Sequence, residues 1–112
     1  MTDAQKKTKV PAEIQHVYAH LWKHGQYVLL AICDADLLGK TLREGNIVFE
    51  VRKNFYEGFK MRVETAIDLI AQSTVVNLVG HHTVRKALER GLIHPEAIIT
   101  ISGIPHAQIV KT

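Results

Sequence analysis

A single cysteine, Cys33, in 112 residues excludes an intramolecular disulfide framework and a thiolate zinc cluster, and it fits a reducing compartment. Long apolar runs are missing too. The longest, Tyr27 to Cys33, has the length of a buried strand and falls far short of the roughly 20 residues needed to cross a bilayer. The start of the chain carries the positive charge of a signal peptide at Lys6, Lys7 and Lys9 but lacks the apolar segment that must follow it. No stretch repeats another. The formal charge, +3, is small for either sign. Together these absences lead to the expectation of a cytoplasmic protein with no membrane segment.

What is present suits one domain that buries well over half of its unfolded surface, with 46% hydrophobic residues. Residues 1 to 11 are polar, Lys-rich and end in Pro11; they are expected to form a flexible basic arm, with the single α+β domain spanning residues 12 to 112. Ile14, Val17, Tyr18 and Leu21 fit a helical stripe, while Val17, Ala19 and Leu21 also alternate with Tyr18, His20 and Trp22 as a strand does. The turn signal Lys23-His24-Gly25-Gln26, followed by the aliphatic Tyr27 to Cys33, favours a β-hairpin.

Downstream, Asp34 is expected to cap a helical turn over Ala35 to Leu38 that Gly39 ends. Ile47, Phe49 and Val51 alternate with Val48, Glu50 and Arg52 as a strand buried on one face. Val63, Ala66, Ile67, Ile70 and Ala71 recur at helical spacing, and Val84, Ala87 and Leu88 begin a second helix that Gly91 stops. Ile98, Ile99 and Ile101 form a last β segment, which the rigid run Gly103 to Gln108 is expected to interrupt. The expected architecture is α+β: a small mixed or antiparallel sheet with an N-terminal β-hairpin, covered by two principal helices.

Several constellations invite chemistry. Leu38-Gly39-Lys40-Thr41 ends like a phosphate-binding loop, but the first glycine of that loop belongs five positions before Gly39, where Asp34 stands. His16, His20 and His24 share one side of the first segment as helix or strand; strand spacing spreads them too far for one zinc ion, so no metal is expected. Cys33 and Asp34 with the distant His106 supply a nucleophile, an acid and a base if the fold joins them, whereas a cysteine ending an apolar strand is ordinarily core. Asn77 lies in an apolar strand and needs a hydrogen-bond partner, which Gln108 or His106 can supply, making a polar site of Cys33, Asp34, Asn77, His106 and Gln108.

The segment Arg52 to Arg62 concentrates four cations, Arg52, Lys53, Lys60 and Arg62, against the one carboxylate of Glu57, and interleaves Phe55, Tyr56 and Phe59. Cations neutralise phosphates and exposed rings stack on unpaired bases. The competing reading buries Phe55 and Phe59 and leaves the charges to solvate a loop.

Cys33-Asp34, Leu37-Leu38-Gly39-Lys40-Thr41, Phe55-Tyr56-Glu57-Gly58, Asn77-Leu78-Val79-Gly80 and Gly103-Ile104-Pro105-His106-Ala107-Gln108 follow one another in an order and spacing that resembles the archaeal family called domain of unknown function four-two-four. The resemblance also favours the hairpin, and it implies no reaction and no cofactor. The first functional expectation is a non-catalytic protein that contacts RNA or a ribosomal particle through Lys6, Lys7, Lys9, Arg52, Lys53, Tyr56, Phe59, Lys60 and Arg62, with translation as its setting. The second is a small enzyme or ligand-binding protein with a site around Cys33, Asp34, Asn77 and His106. The third is a protein-protein adaptor.

Overall fold

The computed structural model describes residues 14–111; the expected basic arm, with Lys6, Lys7 and Lys9, lies outside the described residues. The ambiguous first segment is a strand. β1 (His16–His24) pairs antiparallel with β2 (Tyr27–Asp34) across a two-residue turn, Val17 opposite Asp34 and His24 opposite Tyr27. Because side chains alternate across a strand, this register puts Val17 and Ala19 with Leu30 and Ile32 on one face, and Tyr18 with Ala31 and Cys33 on the other.

Further strands are β3 (Thr41–Glu44), β4 (Ile47–Glu50), β5 (Phe59–Arg62), β6 (Val75–Val79), β7 (Ile99–Ile101) and β8 (Ile104–Val110). Among the described residues, six form a mixed sheet in the order β5-β1-β2-β6-β8-β7, and β3 and β4 form a separate hairpin. Only the β2–β6 pair of the large sheet is parallel. A parallel pair requires a crossover, and here the crossover carries much of the molecule. It lays down the β3–β4 hairpin and the helical turn α1 (Lys53–Tyr56), adds β5 at the open edge of β1, then runs through α2 (Val63–Asp68) and a 3-10 turn, Leu69–Gln72.

The first sheet face is the larger core. Leu30, Ile32, Val76 and Leu78 meet Val63, Ala66, Ile67 and Ile70 from the α2 region and Val84 and Ala87 from α3 (His81–Glu89). Each large aliphatic side chain fully buried here is worth about 1.5–3 kcal/mol. On the second face Ala31, Cys33 and Val79 pack with Leu37, Val51 and Tyr56. The sheet, its N-terminal hairpin and the two principal helices are those expected from the sequence.

Four local expectations are corrected. Ala35–Leu37 is a 3-10 turn, but the Asp34 side chain does not cap it; its carboxylate is drawn to α3. Ile47 to Glu50 is not a strand of the main sheet with one buried face: it pairs only with β3, Ile47 and Val48 are exposed, and burial is reached at Val51 beyond its end. Arg52 to Arg62 is not a loop but a helical turn followed by an edge strand. The Gly103 to Gln108 run does not interrupt the last strand: Ser102 and Gly103, both with positive φ, form a hairpin turn, and Ile104 to Gln108 belong to β8. Residues with positive φ at both turn positions match the right-handed twist of the flanking strands.

Candidate functional site

Asp34 ends β2 beside the start of α3, where the first backbone N–H groups lack partners within the helix. Its Oδ2 accepts from the N–H of His82 at 3.0 Å; its Oδ1 accepts from the N–H of Thr83 at 2.9 Å and from the Thr83 hydroxyl at 2.7 Å. The carboxylate thus caps a helix 48 residues downstream and offsets the positive end of its dipole. Gly80 makes the approach possible. A side chain there would overlap the Asp34 carboxyl, and its φ of 116° suits glycine. Both Asp34 oxygens are occupied, and the side chain is buried.

Cys33, one residue earlier, points to the second face and is fully buried. Burial, and then the nearby Asp34 carboxylate, push its thiol up to about 12, so at neutral pH it holds its proton. In register, Cys33 faces Val79 and Val79 faces His106. Two strand spacings, about 9.5 Å, and the Val79 side chain therefore separate Cys33 from His106. His106 instead packs its ring against Phe49 at 5.0 Å, and burial lowers its pKa. The structure does not assemble Cys33, Asp34 and His106 into a reacting set.

Asn77 and Gln108 do meet. They are cross-strand partners on β6 and β8, and Gln108 Nε2 donates to Asn77 Oδ1 at 2.8 Å. They stand on the second face in a row that runs His20, Ala31, Asn77, Gln108 across four strands.

The aromatic residues of the Arg52 to Arg62 segment divide. Tyr56, expected to face solvent, is 3% exposed in the second-face core, with its phenol pKa raised by burial and by Cys33; the ring fills the space above Cys33 and is removed from any stacking surface. Phe55 is half-buried and packs edge-on against Tyr56. Phe59, by contrast, is 78% exposed. It opens β5, which lies against β1 so closely that a side chain on Gly58 would overlap the Ala19 carbonyl.

Arg52 and Arg62 form exposed ion pairs with Glu50 at 3.1 Å and Glu64 at 3.9 Å. Lys53 runs past Gly39, and it and Lys60 make no ion pair among the described residues. Lys60 also lines an open cleft of about 270 Å³ with His16, Asp36 and His82. No group of three or more metal-ligating side chains converges among the described residues.

Strand membership reveals a charge pattern that reading by segments misses. Among the described residues the six strands of the large sheet contain one carboxylate, the buried Asp34, against Lys23, Lys60 and Arg62 and four histidines. Reading by segments also misses Trp22 and Tyr27, which are 40% and 69% exposed. Their signal lay in the hairpin itself: with the turn at Gly25-Gln26, alternation puts Trp22 on the face of Tyr18 and His20. Trp22 stacks on His20 at 4.0 Å and continues toward Phe55 at 6.3 Å.

No curated protein matches the chain. The fold is similar to the crystal structure of an uncharacterized conserved protein from Methanopyrus kandleri, with a TM-score of 0.73 and 26% identity over 84% of this chain and 90% of that one. The family described as "Protein of unknown function (DUF424)" matches residues 23–112, most of the chain, and the protein belongs to that family.

Proposed function

We propose that the protein is a non-catalytic RNA-contacting protein of the cytoplasm, and that its contact surface is the basic edge formed by Arg52, Lys53, Phe59, Lys60 and Arg62. The observation that carries this reading is the charge distribution on the large sheet, whose exposed charged side chains are all cationic among the described residues. A polyanion approaching the sheet meets no repulsion from it, and phosphate neutralisation supplies the affinity. Charged residues on an edge strand also deter aggregation, but that role gives no reason to leave a phenylalanine 78% exposed on the same edge strand, on the opposite face from Lys60 and Arg62. An unpaired base stacked on Phe59 does. The ion pairs of Arg52 and Arg62 are no obstacle, because pairs this exposed contribute about 0.2–1 kcal/mol and yield to salt or to a phosphate. A ribosomal particle is the larger form of the same partner.

The enzyme reading is opposed by a thiol kept protonated, a carboxylate occupied in capping and an imidazole two strands away. Titration with total cellular RNA, repeated after changing Arg52, Lys53, Lys60 and Arg62 together to Ala, tests the proposal. Weakened binding in the fourfold variant supports it; equal binding by both proteins overturns it.

A further inference from the structure

α1 and the β3–β4 hairpin cover only part of the second sheet face. Beyond them lies a surface built by four strands in register. Its border is the row His20, Ala31, Asn77 and Gln108, in which Ala31 is buried; the next row is Trp22, Leu29, Val75 and Val110, with Tyr27 following opposite His24. Val110 is 66% exposed, in addition to the exposed Trp22 and Tyr27. Two rings and an aliphatic row side by side on one sheet face are unusual for a surface in contact only with water.

The geometry points to this open face as a seat for the unpaired bases of single-stranded RNA, with Tyr27 as the stacking platform, Trp22 beside it already stacked on His20, and the Asn77–Gln108 pair reading base edges. The inference rests on the RNA-contacting reading and extends it from phosphates to bases. Three observations favour nucleic acid over an apolar protein partner. First, these strands carry no exposed carboxylate among the described residues, so nothing on them repels an anionic strand. Second, the amide pair uses one donor and one acceptor internally. Each amide has two donors and one acceptor oxygen, so the pair still offers solvent the Gln108 carbonyl and Asn77 N–H groups. A donor beside an acceptor complements the edge of a base, and the same holds if both amides are turned.

Third, β5 places Lys60 opposite Tyr18 and Arg62 opposite His16, on this same face of the sheet. Bases laid on the open rows thus share a surface with the cations that would neutralise their backbone. Stacking on rings tolerates any base, while the amides add preference.

Trp22 is the chain's only tryptophan, so the proposed seat contains its own fluorophore. The experiment titrates the whole protein with a short oligouridylate and, separately, with inorganic polyphosphate of matched charge. Expected are saturable quenching of Trp22 emission by the oligonucleotide alone and a roughly 5- to 150-fold loss of oligonucleotide affinity in Tyr27→Ala. Tyr27 is too exposed for its truncation to threaten folding, and Gln108→Ala is expected to change the ranking of oligouridylate against oligoadenylate.

Oligonucleotide binding with unchanged emission and unchanged affinity in Tyr27→Ala would overturn the base seat while leaving the phosphate-contacting reading in place. Equal binding of polyphosphate and oligonucleotide would do the same. No binding of either at low salt would bring down both readings. Emission that changes with protein concentration alone, accompanied by dimers in sedimentation, would assign the face to a second copy of the chain and overturn the inference.

Discussion

Asp34 accepts three hydrogen bonds at one helix start, and its loss would strand the buried N–H of Thr83 and the part-buried N–H of His82. Asp34→Ala is therefore expected to destabilise the protein by about 2–4 kcal/mol, read as a fall in the urea midpoint with little change in slope. Cys33 titrates in the opposite sense from a salt-bridged carboxylate. Its folded pKa, about 12, exceeds the ordinary 9.0, so the neutral thiol is the form the fold accepts. Its contribution is fully present below pH 9.0 and is lost as pH rises through the folded value, and Cys33→Ala should flatten that alkaline decline in stability. His106 shifts downward from 6.5, so its contribution is present above the ordinary imidazole value and is lost as pH falls through the lowered folded one. Denaturant midpoints measured across both ranges, with His106→Gln as the acid-side control, separate the two groups.

β5 is where sequence and structure differ most usefully. Phe59 sits over solvent, so Phe59→Ala is expected to move stability by no more than about 0.5 kcal/mol while weakening RNA binding. Gly58→Ala should do the reverse to the fold, costing at least about 1 kcal/mol of stability, read as a fall in the thermal midpoint, because its side chain would meet the Ala19 carbonyl and lift β5 from β1. The periodic elements were legible: the turn signal Lys23 to Gln26 and the aliphatic run after it settled the ambiguous first segment as a hairpin, and Val63, Ala66, Ile67 and Ile70 marked a helix because one buried face leaves a 3.6-residue trace. β5 left no such trace. Four residues on an edge, one with its apolar ring outward, carry no buried alternation to read. The Asn77–Gln108 meeting followed from the rule that an amide among apolar residues needs a partner, whereas the capping of α3 by Asp34 depended on a contact across 48 positions that no local pattern encodes. The Ser102-Gly103 turn was hidden for a different reason, since Pro105 in a strand reads as a break; here it stands one residue beyond the last β6–β8 register pair, Val79 and His106, where a missing N–H is tolerated.

Among the described residues the exposed acidic side chains lie on turns, helices and the small hairpin, so the exposed charged side chains of the large sheet are lysine and arginine. Such segregation has a measurable consequence that the modest net charge conceals. Each phosphate neutralised on a single strand contributes a slope of about −0.7 in log affinity against log salt, so four contacts through Arg52, Lys53, Lys60 and Arg62 predict about −2.8, or a roughly 50-fold loss between 50 and 200 mM salt. The fourfold alanine variant should lose most of that slope. Tyr27→Ala should instead keep it and shift the line down in parallel, because stacking removes no counterions. Slopes and intercepts measured for both variants against the parent protein thus separate backbone contact at the basic edge from base contact on the open sheet face; parallel lines for all three proteins would assign the salt dependence to other cations.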